Sequence, residues 1–238
     1  GMCTLAWGKE DNSLWICFNR DELRKRQPAE PPAIHRGAGP ATVYARDPQG
    51  GGTWFAASEA GFAVALLNHY PAEAPVQAPT RSRGQLVIDL AEAASEARAH
   101  EILLGADLAP YAPFCLFLLS MEGTGAFAWD GDQLQPLACE RPFWTTSSYK
   151  PEEVLAWRTG WWLARIEDRE LKLAEASRLM RQAWPGKPAY GLTMDRMEAR
   201  TLSQIELRIA PQGLTFVYRQ REAEGTGYGK PVSIQLPA

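Results

Sequence analysis

The chain has 238 residues, 45% of them hydrophobic and 22% charged, with a formal net charge of −3. That is enough chain to bury one sizeable core, and the charge gives no electrostatic ground for holding nucleic acid or an anionic membrane. The best apolar run, Phe114 to Leu119, is strand-sized and far short of a membrane span, and the N-terminal residues lack the basic-then-apolar pattern of a secretory signal.

In chain order, Thr4–Trp7 and Leu14–Phe18 are apolar runs separated by the polar turn Lys9-Glu10-Asp11-Asn12, which predicts an opening hairpin. The second run delivers Asn19-Arg20-Asp21-Glu22. A hairpin returns this tetrad to the side of Cys3 and so sets a cation and a carboxylate beside a thiol. Gly1 ahead of Met2 reads as a residue left by expression cloning. A loop rich in proline (Pro28, Pro31, Pro32) follows, then a short strand over 42–46, a tight turn at Gly50-Gly51-Gly52, and strands over 54–58 and 62–68. The last of these is almost continuously apolar, the pattern of a strand buried on both faces.

A loop marked by Pro71, Pro75 and Pro79 leads to a helical pattern from Gly84 to Leu104, with Leu86, Leu90, Ala94 and Ala97 on one stripe. Strands are predicted over 114–121, 125–129 and 143–147. Pro151 suits the first turn of a helix, with Glu152 and Glu153 at its positive end. Apolar residues then recur at helical spacing from Leu155 to Trp184, and the charge run 167–172 is a solvated face or a break between two helices. A hairpin over 200–209 and 214–221 and an edge strand over 232–236 close the chain.

Four cysteines, at 3, 17, 115 and 139, show no C-x-x-C, and the three histidines are scattered, so no metal site is indicated. A reduced, cytoplasmic protein is the expectation. Neither glycine-rich stretch, 50–52 or 225–229, leads through Gly-Lys-Ser/Thr into a helix, which excludes a phosphate loop. Close backbone packing beside the Cys3 strand is the expectation for the first of them.

Met2-Cys3-Thr4, Asn19-Arg20-Asp21-Glu22, Gly51-Gly52-Thr53-Trp54, Ala65-Leu66-Leu67-Asn68 and Ser82-Arg83-Gly84 occur in the order found in the NRDE proteins. The chain resembles this family, also called the transport-and-Golgi-organisation family, across most of residues 2–87. The resemblance implies a relation to the cysteine-type N-terminal-nucleophile hydrolases, which include penicillin V acylase. It implies one α+β domain over 1–238, a four-layer αββα sandwich of N-terminal-nucleophile hydrolase type.

The site it points to is Cys3, Arg20, Asp21 and Asn68. With Met2 removed, Cys3 carries a thiol and an α-amine whose reference pKa, about 7.7 to 8.0, suits a base near neutrality. Arg20 is the candidate for lowering the thiol pKa and Asp21 for holding the amine. Neighbours on a strand face opposite sides, which leaves Glu22 open as the carboxylate. Asn68 is either an oxyanion donor or a strand-ending turn residue. The relatives' second asparagine is replaced by Thr146-Ser147-Ser148, with Ser147 as a weaker donor. Arg200 matches a late arginine loosely, and an exposed strand charge is the simpler reading.

The activity implied is hydrolysis of an amide, or an ester, in a small acylated molecule, by Cys3 and without metal or cofactor. The alternative is a non-catalytic binder of lipid, acyl-thioester or haem-like ligands. A redox pair of Cys3 and Cys17 is the weakest option.

Overall fold

The computed structural model describes residues 2–73, 75, 77–167 and 169–238. Gly1 therefore lies outside the described residues, as do Ala74 and Val76 of the loop before the first helix and Asp168 of the charge run.

Two antiparallel sheets form the centre. The first runs β10-β1-β2-β11-β12-β13, from β1 (Met2–Glu10), β2 (Ser13–Leu23), β10 (Phe143–Thr146), β11 (Ala199–Ala210), β12 (Gly213–Gln220) and β13 (Val232–Pro237). The second is a seven-stranded meander of β3 (Ala33–His35), β4 (Thr42–Tyr44), β5 (Phe55–Ser58), β6 (Phe62–Asn68), β7 (Phe114–Ser120), β8 (Gly123–Trp129) and β9 (Leu134–Pro136). Side chains alternate across each strand, so one face of each sheet turns toward the other. Leu5, Ile16 and Phe18 meet Phe55, Leu67 and Phe117 in an apolar central layer. Phe55 has Phe18 and Phe216 at ring separations of 5.8 and 6.0 Å.

The opposite faces carry the helices. α1 (Arg83–Ala91) and α2 (Glu96–Gly105) cover the second sheet through Leu86, Leu90, Ala99 and Leu103. α3 (Pro151–Ile166) and α4 (Leu173–Met180) cover the first through Trp161, Trp162, Ala176 and Met180. The result is the expected αββα sandwich. β6 is buried from Phe62 to Leu67, with Val64 under the helices and Ala65 in the central layer.

The single helix expected over 84–104 is two. α1 ends at Ala91 with Glu92 as its C-cap, and the Ser95 hydroxyl accepts the Arg98 N–H to start the next one. The edge strands β3 and β9 were not legible, because each is three residues long and set among prolines, which only edge positions tolerate. Trp184 lies beyond α4 yet still packs edge-on against Trp157.

Candidate active site

The β1–β2 register is what builds the site. Cys3 stands opposite Arg20, Thr4 opposite Asn19 and Met2 opposite Asp21. Alternation then divides the tetrad between the two faces of the sheet. Arg20 and Glu22 share the face of Cys3, whereas Asn19 and Asp21 point into the helix layer. Between Arg20 and Asp21 the pairing with β11 skips a residue, from Thr201 to Ser203. Such a bulge bends and twists a strand locally, a device common beside active sites.

Cys3, Arg20, Asp21, Glu22 and Asn68 all border one cleft at this end of the two sheets, enclosing about 90 Å³. That is room for a few waters or one small group. Arg20 is not a free cation beside the sulfur. Its guanidinium lies 3.9 Å from the Trp54 ring centre and 3.1 Å from Asp47, which also binds Arg26 at 2.5 Å. Desolvation acts on the thiol instead, and with the Asp21 carboxylate close by it pushes Cys3 up to about 12, although the Asp21 N–H opposes this. In the chain bearing Met2, the expected lowering by Arg20 is therefore absent.

On the helix side Asp21 is fully enclosed. Its Oδ1 accepts the Thr201 hydroxyl at 2.6 Å, and Arg158 approaches Oδ2 to 3.7 Å. Oδ2 has no hydrogen-bond partner. Burial, only partly offset by Arg158 and Thr201, raises this carboxyl to about 6. Asn19 is structural, donating to the Met180 and Leu192 carbonyls at 2.7 and 2.9 Å.

Arg158 was missed from the sequence. Fully buried on α3, it donates to the Tyr190 and Gly191 carbonyls and to the Thr4 and Thr145 hydroxyls. Thr145 in turn donates to the Cys3 carbonyl at 3.1 Å. The available signal was position: Arg158 falls four residues after the buried Val154, on the stripe that faces the sheet.

Asn68 ends β6 at the cleft, its Nδ2 only 3.4 Å from the Tyr70 hydroxyl, a long contact that leaves it weakly engaged. Ser147 is spent locally, donating to the Tyr149 carbonyl and accepting the Tyr149 N–H. Thr146, paired with Cys3, has a buried hydroxyl with no partner. Arg200 is buried rather than an exposed strand charge, and it ties down the loop after β12 through the carbonyls of Glu222 and Ala223. Gly52 packs against the start of α1 rather than the Cys3 strand: a Cβ there would fall 2.3 Å from the Gly84 backbone. Cys17 belongs to the helix-side core and Cys3 to the central layer, so a bond between them would have to cross the sheet. Among the described residues no group of His, Cys, Asp and Glu is arranged to hold a metal ion. No described helix is long and apolar enough to cross a membrane.

A family model, Transport and Golgi organisation 2, matches residues 2–154, which include Cys3, Arg20, Asp21 and Asn68 but neither Arg158 nor Arg200. No curated protein matches the chain. Among solved structures, the Caenorhabditis elegans ortholog of N-acylethanolamine-hydrolyzing acid amidase aligns with a TM-score of 0.59 at 11% identity, covering 87% of this chain and 92% of that one. Penicillin V acylase from Agrobacterium tumefaciens gives 0.54 at 14% identity, over 92% and 83%. A mutant of the conjugated bile acid hydrolase from Clostridium perfringens gives 0.55 at 12% identity, over 99% and 92%. At these identities the likeness is one of fold, that of the N-terminal-nucleophile hydrolases.

Proposed function

Since the chain belongs to the Transport and Golgi organisation 2 family and has the fold of N-terminal-nucleophile hydrolases, we propose that it is an amidohydrolase. Its substrate is an amide, or an ester, of a small acylated molecule, and Cys3 is its nucleophile. The observation that carries the reading is Asp21 Oδ2, a buried carboxylate oxygen with no hydrogen-bond partner, opposite the residue that precedes Cys3. Buried polar atoms are ordinarily satisfied, and an α-ammonium at Cys3 is the partner this one fits. The active form therefore begins at Cys3, with Met2 and whatever precedes it removed. In a reduced, cytoplasmic setting the four unpaired thiols are at home.

The chemistry follows from these groups. The neutral α-amine takes the thiol proton, and the sulfur attacks the substrate carbonyl. Asn68 Nδ2, aided by a backbone N–H, holds the resulting oxyanion. Collapse breaks the C–N bond, and the ammonium returns its proton to the departing amine. Water, deprotonated by the same amine, then attacks the thioester, releasing the acid and restoring the thiol.

One observation favours a second reading, a non-catalytic ligand binder: the thiol of the Met2-bearing chain is held at about 12. Limited alkylation separates the two. With Met2 in place, Cys139, the one cysteine that is not buried, should be modified first. When the chain begins at Cys3, modification should move to Cys3 at neutral pH. Continued preference for Cys139 in the shortened chain would leave the binder as the better account.

A further inference from the structure

Three arginines border the cleft, and two of them, Arg20 and Arg26, share one carboxylate, Asp47. Arg83, the first residue of α1, is different. Its Nη1 donates to the Pro113 carbonyl at 2.7 Å, and among the described residues no carboxylate lies within 4.0 Å of it. A guanidinium has five N–H donors in a planar fork that suits the two oxygens of a carboxylate. A carbonyl engages one of them and neutralises none of the charge.

Its surroundings favour an anion from two further directions. Burial acts against the charged form of Arg83, and this is the largest influence on it. The start of α1 adds the positive end of the helix dipole on the same side, with the Ser82 cap and Gly84 also bordering the cleft. The seat is rigid, because Gly52 and Gly84 pack backbone to backbone and the Thr53 N–H donates to the Gly84 carbonyl at 3.3 Å.

Cys3 borders the same small cleft. An acyl compound presenting its carbonyl to the thiol must therefore bring another part of itself close to Arg83. We infer that Arg83 selects substrates carrying a carboxylate or similar anion near the scissile carbonyl, on either the acyl or the amine side. The inference rests on the amidohydrolase reading and deepens it. Glu22, half-buried in the same cleft, is the competing charge, since it repels an anion bound at Arg83. The two residues should thus act with opposite signs.

Matched substrates test this with the chain that begins at Cys3. One pair is an N-acetyl amino acid and its primary carboxamide, with the charge on the amine side. The other is succinic acid monoamide and its methyl ester, with the charge on the acyl side. The pair that shows discrimination identifies the side. Arg83→Gln should raise KM for the anionic member roughly 10- to 100-fold, the range for a hydrogen bond to a charged group, with kcat little changed. Arg83→Lys should keep part of the preference, and Glu22→Gln should lower KM for the anion.

Calorimetric titration of the same four compounds into a Cys3→Ala form reads binding independently of turnover. Tighter binding of the anions, lost in Arg83→Gln while its melting temperature is kept, supports the assignment even if no amide is cleaved. In that case the amidohydrolase reading alone would fail. Equal binding of charged and neutral members overturns the role of Arg83 whether or not turnover is seen.

Discussion

A chain that begins at Cys3 is expected to turn over its amide substrate about 10²- to 10⁴-fold faster than the chain bearing Met2, the usual contribution of a positioned general base. With Met2 attached, the nitrogen of Cys3 is an amide and cannot take a proton. The sulfur is then left with burial and the Asp21 carboxylate, which together hold it at about 12. A free α-amine changes both terms, supplying a base and a cation beside Asp21 Oδ2.

The pH dependence has a definite sign. The amine must be neutral to act, so kcat/KM rises with pH through the amine pKa, whose reference value is about 7.7 to 8.0. Ionised Asp21 stabilises the ammonium and moves this limb upward. Asp21→Asn should move it to lower pH and reduce the plateau. A limb at the same pH in both forms would show that the titrating group is elsewhere.

The second large effect is on stability. Arg158→Met should lower the unfolding free energy by about 3 to 5 kcal/mol, the usual loss when one partner of a buried ion pair is removed. At this chain length each kcal/mol shifts the melting temperature by roughly 2 to 4 °C. Two carbonyls, two hydroxyls and the Asp21 carboxylate would lose their cation together. The Asp21 carboxyl is raised to about 6, so below that pH it is protonated and needs no counter-charge. The deficit should accordingly be larger at pH 8 than at pH 5, as measured by thermal melts of both proteins at the two values. A melting temperature unchanged at pH 8 would mean that Arg158 is not what holds this corner together.

The sequence shows the site where the geometry is local. Cys3 and the tetrad lie on the two strands of one hairpin, and a register of one-to-one pairs brings them together. Two-residue alternation already implied that Arg20 and Asp21 face opposite ways. It could not say which side of the sheet each side met, because that depends on layers built 130 residues later. Arg20 pairs with Asp47, 27 residues away in a loop with no periodicity to mark it. Arg200 reads as an exposed strand charge and Arg158 carries no motif that singles it out, yet both are buried because their guanidiniums find backbone carbonyls. The core strands were legible for the opposite reason: runs such as 62–67 and 114–119 have no polar alternative to burial.

Covalent chemistry at Cys3 is the central claim, and mass spectrometry of the trapped acyl-enzyme reaches it most directly. The chain beginning at Cys3 is mixed with excess acyl amide and quenched in acid within the first turnover, then digested and mapped. A mass increase equal to the acyl group minus one hydrogen, on the peptide that begins at Cys3 and lost in Cys3→Ala, is the expected result. Turnover that persists in Cys3→Ala, or an acyl group carried by Cys17, Cys115 or Cys139 instead, would contradict it.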